Sequence, residues 1–197
     1  MTEGIAAMEK ELSEMTLDEL WEFFPIFLVE HNYKWNYFYD EIETKLQRIL
    51  SACNVERISH IGSTAIPEIW AKNIVDVLIE ISSDSDIENV AQIIENNGFI
   101  RMLTEEKRIS FNSGYTKAGF ADKVFHIHLR YIGDNEELYF RDYLREHPQI
   151  AKEYETLKLN LFLCLLQGSY LTGTRELNLL FRAFVILPWQ YSVMKNQ

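Results

Sequence analysis

Two short stretches of the chain carry residue types suited to phosphate and metal chemistry. The first is His60-Ile61-Gly62-Ser63-Thr64, followed after eleven residues by Asp76 within the apolar run Ile74 to Ile81. A strand, a Gly-Ser turn and a carboxylate on the next strand form a layout that nucleotidyl transfer needs. Backbone amides and the Ser63 hydroxyl would hold the outer phosphates, and the carboxylate would hold the Mg²⁺ that bridges them. So short a motif also arises by chance, and the same letters fit a Gly-Ser turn beside a strand Asp that caps a neighbouring backbone group.

The second stretch is Lys123 to Tyr131. Period-two alternation puts Phe125, Ile127, Leu129 and Tyr131 on one face of a strand and Val124, His126, His128 and Arg130 on the other. Two imidazoles at i and i+2 beside an Asp strand could bind a divalent metal jointly with the carboxylate. Neutral imidazole favours Zn²⁺, Mn²⁺ or Ni²⁺ over Mg²⁺, and Arg130 would stand close enough to neutralise a phosphate. The alternative is a polar pair on an exposed strand face, or one His hydrogen-bonded to a carboxylate.

Elements that could position these groups are legible around them. Trp35, Phe38, Ile42, Leu46, Ile49 and Leu50 recur at helical spacing between Lys34 and about Ala52, giving a stripe to lie on a sheet. Arg57 to Ile61 and Ile74 to Ile81 read as strands. Between the latter and a strand at Phe99 to Leu103, Ser85 with Glu88 has capping-box spacing, Ile87, Val90, Ile93 and Ile94 supply an apolar stripe, and Asn97-Gly98 a stop. Lys107 to Asn112 is strand-like, with Ser113-Gly114 and Gly119 marking a turn. Helical patterns follow at Glu136 to Glu146, Pro148 to about Gln167 and Arg175 to Leu187, and a short one precedes at Thr16 to Phe24, stopped by Pro25. The charge-rich stretch Arg141 to Glu155 reads as a solvated face. The fold class expected is α+β: a small mixed sheet with flanking helices and a helical C-terminal third. Residues 1–15 are expected to form a helical or frayed N-terminal segment and residues 16–197 one domain.

Of the 197 residues, 47% are hydrophobic, 25% charged and 13% aromatic, the balance of a globular protein. A net charge of −11 argues against nucleic acid and anionic membranes as partners. A few well-placed Lys or Arg residues would still suffice for one small nucleotide. Cys53 and Cys164 lie far apart beside apolar residues and read as reduced core thiols. The stretch Met1 to Met15 is acidic and lacks the basic and apolar regions of a secretion signal, and the longest apolar run, Leu161 to Leu166, is far short of a membrane span, so a cytoplasmic location is expected.

The segment HIGSTAIPEIWAKNIVDVLIEI resembles the signature of the GrpB family, roughly HIGSTAVPGLxAKPIIDI. The likeness continues through GYTKAGF, KVFHIHLRYIGD and YFRDYLREHPQIAKEYETLKLNL, and spans about Leu20 to Leu161. This resemblance implies a nucleotidyltransferase-like core. It carries the family motif onto His60, Gly62, Ser63, Thr64, Pro67, Lys72 and Asp76, then His126 and His128, and finally Arg175, where the family usually has Lys. On that basis Asp76 and Ser63 are expected to be catalytic, with Gly62, Ser63, Thr64, Lys72, Arg130 and Arg175 on phosphate. Asp76, His126 and His128 would hold a divalent metal, Mg²⁺ or Mn²⁺ with Zn²⁺ the alternative. The ligand expected is a small-molecule nucleotide and the acceptor a small molecule or a protein. The chain departs from active nucleotidyltransferases at Leu78, where a second carboxylate usually stands on the face of Asp76. Glu80 lies about 13 Å from Asp76 at ~3.3 Å per residue, too far to share an ion. Asn73 replaces the family's Pro, and the segment after Gln167 diverges most. A catalytically silent ligand-binding or partner-binding module is therefore the rival expectation.

Overall fold

The computed structural model describes Phe24 and residues 27–166, with side chains to residue 163. Arg175, the Cys164 side chain, the helix expected at 175–187 and all of the helix expected at 16–24 except Phe24 lie outside the described residues. The elements run α1 (Lys34–Ile49), β1 (Val55–Ile61), a 3-10 turn (Ser63–Ala65), β2 (Val75–Ile81), α2 (Ile87–Asn96), β3 (Ile100–Glu105), β4 (Arg108–Thr116), β5 (Gly119–Tyr131), α3 (Glu136–Glu146) and α4 (Pro148–Leu166). The five strands form one sheet in the order β1-β2-β5-β4-β3. Among the described strands only the central β2–β5 pair is parallel; the other three pairs are antiparallel. This is the mixed α+β architecture expected.

Strand alternation divides the sheet into two unlike faces. Val77, Ile79, Ile127, Leu129, Ile109 and Phe111 point to the face covered by α1 and α2, where they join Trp35, Leu46, Val90 and Ile94 in the main core. Each residue of this kind contributes roughly 1.5–3 kcal/mol by leaving water. The opposite face carries Asp76, Leu78 and Glu80 on β2 in register with His126, His128 and Arg130 on β5. It is covered only in part: Leu138 of α3 seals Ile61 and Leu78, and Leu144 and Ala151 pack on Ile66 and Ile69. What that cover leaves open becomes the pocket.

Three local details differ from the sequence expectations. The cap of α2 is Asp86 and not Ser85, because the Asp86 carboxylate accepts the N–H groups of both Glu88 and Asn89. Ser113-Gly114 does not end a strand; β4 runs on to Thr116, with a register shift between Ser113 and Tyr115 that marks a bulge. The third concerns the charged helix faces. Arg141 and Arg145 of α3 donate to the carbonyls of His60 and Ala65, each at 2.8 Å. Lys152 and Lys158 of α4 donate to the carbonyls of Glu68 and Trp70, and Glu155 accepts the Trp70 N–H at 2.6 Å. The charged faces of α3 and α4 are thus a set of clamps on the end of β1 and the loop after it, because the edge strand and that loop offer backbone groups with no ladder to join.

Candidate functional site

The loop between β1 and β2 is where the sheet's open face acquires its chemistry. Ile61, the last residue of β1, pairs with Asp76, the second of β2, so Gly62 and Ser63 emerge beside the carboxylate. Gly62 has φ 70 and ψ −173, and a Cβ there would stand 2.4 Å from Asp76 Oδ2. Only glycine allows both the backbone angle and the close approach. His60 is buried and stacks on Tyr39. Its Nε2 lies 3.0 Å from Thr64 Oγ1, which donates in turn to the Ile74 carbonyl at 3.1 Å. With the Thr64 proton so engaged, His60 Nε2–H must be the donor of the first bond. Burial pushes the His60 imidazole down to about 4, which keeps it neutral. His60 and the Thr64 hydroxyl therefore shape the turn, with the Thr64 proton committed to the Ile74 carbonyl. The Ser63 hydroxyl faces the Tyr154 hydroxyl of α4 at 3.4 Å.

Across the β2–β5 pair, two imidazoles flank Asp76. His126 Nδ1 lies 3.3 Å and His128 Nε2 3.6 Å from Asp76 Oδ1. Burial alone would push the Asp76 carboxyl up, but the two rings facing it outweigh that and hold it far below the usual carboxylate range. Burial also pulls His126 down, against the raising effect of Asp76, so the pair is a carboxylate beside a neutral ring. Burial keeps the Tyr115 phenol protonated, and its hydroxyl lies 2.7 Å from His126 Nε2. The consistent assignment has Tyr115 donating to Nε2 and His126 Nδ1–H turned toward Asp76. Behind them Asn112, opposite His126 on β4, is fully buried with no partner for either amide atom.

These groups share a cavity of about 530 Å³ that also takes in Lys72, Lys158, Arg108, Arg130, Glu136 and Glu137. That volume is in the range of small-ligand sites. Burial lowers the Lys72 ammonium to about 8, with Asp76 opposing the shift, and lowers Lys158 to about 8 as well, with Lys72 adding repulsion. The structure thus brings together Gly62, Ser63, Thr64, Lys72, Asp76, His126 and His128 at one end of the cavity, while Arg130 stands at the other. Two further positions are explained. Glu80 is buried, paired with Arg57 at 2.6 Å and accepting from Gly133 and Asn135, so it serves the fold and not the site. Asn73 accepts the Trp35 indole N–H at 2.7 Å, a bond the Pro of the family signature could not make. Sequence reasoning missed Tyr115, Tyr154, Lys158 and Arg108 as groups of the site. The spacing of Tyr154 and Lys158, one helical turn apart on α4, was the available signal.

A mixed sheet carrying a glycine turn and a strand Asp on its half-covered face defines a protein class as well as a site. The family model described as GrpB protein matches residues 25–165, and the chain belongs to the GrpB family. It is 35% identical over 137 residues to the UPF0157 protein YqkA of Bacillus subtilis, covering 68% of this chain but 39% of that protein's length. It is 34% identical over 146 residues to the glutamate-rich protein GrpB of Alkalihalophilus pseudofirmus, covering 69% of this chain and 80% of that one. Among solved structures, the conserved protein GrpB from Enterococcus faecalis superposes with a TM-score of 0.60 at 27% identity, covering 86% of this chain and 99% of that one. No helix among the described residues is long and apolar enough to cross a membrane.

Proposed function

We propose that the pocket binds a nucleotide through its phosphates together with one divalent metal ion, as a nucleotidyltransferase-like protein, with a small molecule or a protein as acceptor of any group transferred. The observation that carries this reading is the meeting of Gly62, Ser63 and Lys72 with Asp76, His126 and His128 in one cavity. In a chain of net charge −11, a cavity lined by four Lys and Arg side chains against three carboxylates reverses the local balance and favours an anion. Arg175 joins this reading as a phosphate contact through family likeness alone.

The donor set fits a metal. Ligand atoms about 2.0–2.2 Å from an ion at tetrahedral angles lie roughly 3.3–3.6 Å apart, which matches the 3.3 and 3.6 Å from Asp76 Oδ1 to the two ring nitrogens. Both exceed the length of a charge-assisted hydrogen bond. Among the described residues no three His, Cys, Asp or Glu side chains surround a single point as they stand, so seating an ion requires one ring to turn and the His126 proton to move to Nε2, where the Tyr115 oxygen would accept it, freeing Nδ1 to coordinate. Two imidazoles and a carboxylate favour Mn²⁺ or Zn²⁺ over Mg²⁺. When bound, the ion would polarise a phosphoryl oxygen. The chain's own groups orient and balance that phosphate: the turn and Ser63 position it, Lys72 offsets its charge, and Asp76 stays ionised to hold the cation.

A second reading, a silent binding module, is favoured by one observation. Leu78, where a second carboxylate would stand, is fully buried against Leu138, so that position is closed by α3 and not merely neutral. Calorimetric titration with ATP, CTP, GTP and UTP, with and without Mg²⁺ or Mn²⁺, tests both. Metal-dependent nucleotide binding that Asp76→Asn removes supports the first. Binding indifferent to metal and to Asp76→Asn supports the second, and no binding of any nucleotide overturns the first and leaves the second only with a ligand or partner that is not a nucleotide.

A further inference from the structure

The far end of the pocket is built differently, and its anion chemistry rests on the reading above only for what occupies the near end. Arg130 lies four residues along β5 from His126, about 13 Å up the sheet at ~3.3 Å per residue. Its side chain lines the cavity, yet it is only 8% exposed. Nη2 donates to Glu137 Oε1 at 3.2 Å, while the buried Nε has no hydrogen-bond partner and lies 3.9 Å from Asp134 Oδ2. Asp134 is engaged elsewhere, gripping Arg108 with both oxygens at 2.7 and 2.6 Å. A buried guanidinium normally has its donors satisfied, most strongly by a two-oxygen anion. Here one long bond to the half-exposed Glu137 and a loose ion pair with Asp134 serve instead.

We propose that Arg130 is a second anion subsite, and that Glu137 occupies the place of a ligand oxyanion that displaces it. The ligand class this implies is an elongated molecule with an anionic group at each end. One group meets Gly62, Ser63 and the Asp76 cluster, and the other, a phosphate or a carboxylate, meets the Arg130 fork. A nucleotide joined to an acid or to a second phosphate has this form, whereas a mononucleotide with a neutral far end leaves Arg130 as it stands.

The test titrates the Mn²⁺-loaded protein with methylphosphonate, with alkane bisphosphonates of increasing chain length, and with phosphonocarboxylates of matching length. The two bivalent series separate a phosphate from a carboxylate at the far end. One intermediate length should bind at least about 10-fold more tightly than methylphosphonate, as two linked contacts do when the linker matches the span. Arg130→Lys should remove that gain, because a point charge cannot offer the fork. Glu137→Gln, a change at a half-exposed side chain, should enlarge it several-fold. No gain at any length in the wild type, or a gain that survives Arg130→Lys, overturns the subsite. If Mn²⁺ does not bind, the metal reading fails by itself. Inorganic sulfate then decides the subsite: binding tightened by Glu137→Gln and lost in Arg130→Lys upholds it, and sulfate affinity equal in all three proteins refutes it.

Discussion

Gly62→Ala should damage this protein more than a single methyl group ordinarily does. At φ 70 and ψ −173, Gly62 occupies backbone space that residues with a Cβ reach at about 1–3 kcal/mol. The added methyl would also stand 2.4 Å from Asp76 Oδ2 and 3.0 Å from its Cγ. Relief requires the carboxylate to swing off His126 and His128, and overpacking of this kind costs a further 1–3 kcal/mol or so. Together about 2–6 kcal/mol is expected, a fall in Tm of roughly 10 °C at the middle of that range for a chain of this size. Gly98→Ala is the control: Gly98 has φ 89, but its Cβ would meet open space, so only a backbone cost of about 1 kcal/mol applies. Urea denaturation of the two variants measures the difference, and Mn²⁺ titration of folded Gly62→Ala measures what becomes of the carboxylate. Equal midpoints for the two variants, or wild-type Mn²⁺ affinity in Gly62→Ala, would refute the reasoning.

Further outcomes follow from single features. Replacing both His126 and His128 by Ala should weaken Mn²⁺ or Zn²⁺ binding about 10-fold or more; because burial keeps His126 neutral at pH 7, wild-type affinity should hold there and fall only below the ordinary imidazole range near 6.5. Unchanged affinity in the double variant by calorimetry would leave both as plain strand residues. His60, pushed from 6.5 down to about 4 by burial, binds its proton more readily in the unfolded chain, so stability is complete above pH 6.5 and declines as pH falls through 6.5 to 4, by up to about 3 kcal/mol. His60→Gln should make that slope shallower in urea melts at stepped pH, and an unaltered slope would count against it. Glu68 holds φ 61 where the family signature has Gly, so Glu68→Gly should relieve about 1 kcal/mol and raise Tm by about 2–4 °C; a lower Tm would show that no strain resides there. Arg145→Met strips the Ala65 carbonyl of its donor and should cost about 1–3 kcal/mol, whereas exchanging exposed Glu153 for Gln should cost under about 0.5 kcal/mol. Equal effects would restore the solvated-face view.

The half of the site on β2 and β5 was legible because a strand has only two faces. Once Phe125, Ile127 and Leu129 are given to the core, His126, His128 and Arg130 have one place to go, and the pairing of Asp76 with His126 completes the cluster. The wall contributed by α3 and α4 was not legible in the same way. A charged helix face looks alike in sequence whether it meets water or a row of carbonyls, and only the tertiary fold supplies the loop that Arg141, Arg145 and Lys158 grip. The interval of four between Arg141 and Arg145, and of three between Lys152, Glu155 and Lys158, was the trace that a single stripe was involved. Asp86 was overlooked in favour of Ser85 because both precede the helix, and the register that decides between them is set by packing of Ile87 and Val90 on the sheet.

The loop clamps also fix when the pocket can exist. Each joins groups 80 to 88 residues apart in sequence. At synthesis rates of about 5–20 residues per second, the segment around the Gly62–Ser63 turn leaves the ribosome some 4–18 s before the side chains that secure it. Through most of that interval the nascent chain holds the turn's carbonyls with water alone, and β5, which carries both imidazoles and Arg130, is complete only once Tyr131 has been added. A ligand that needs both ends of the cavity has nothing to grasp on an unfinished chain, so binding competence arrives late and all together, with the docking of α4.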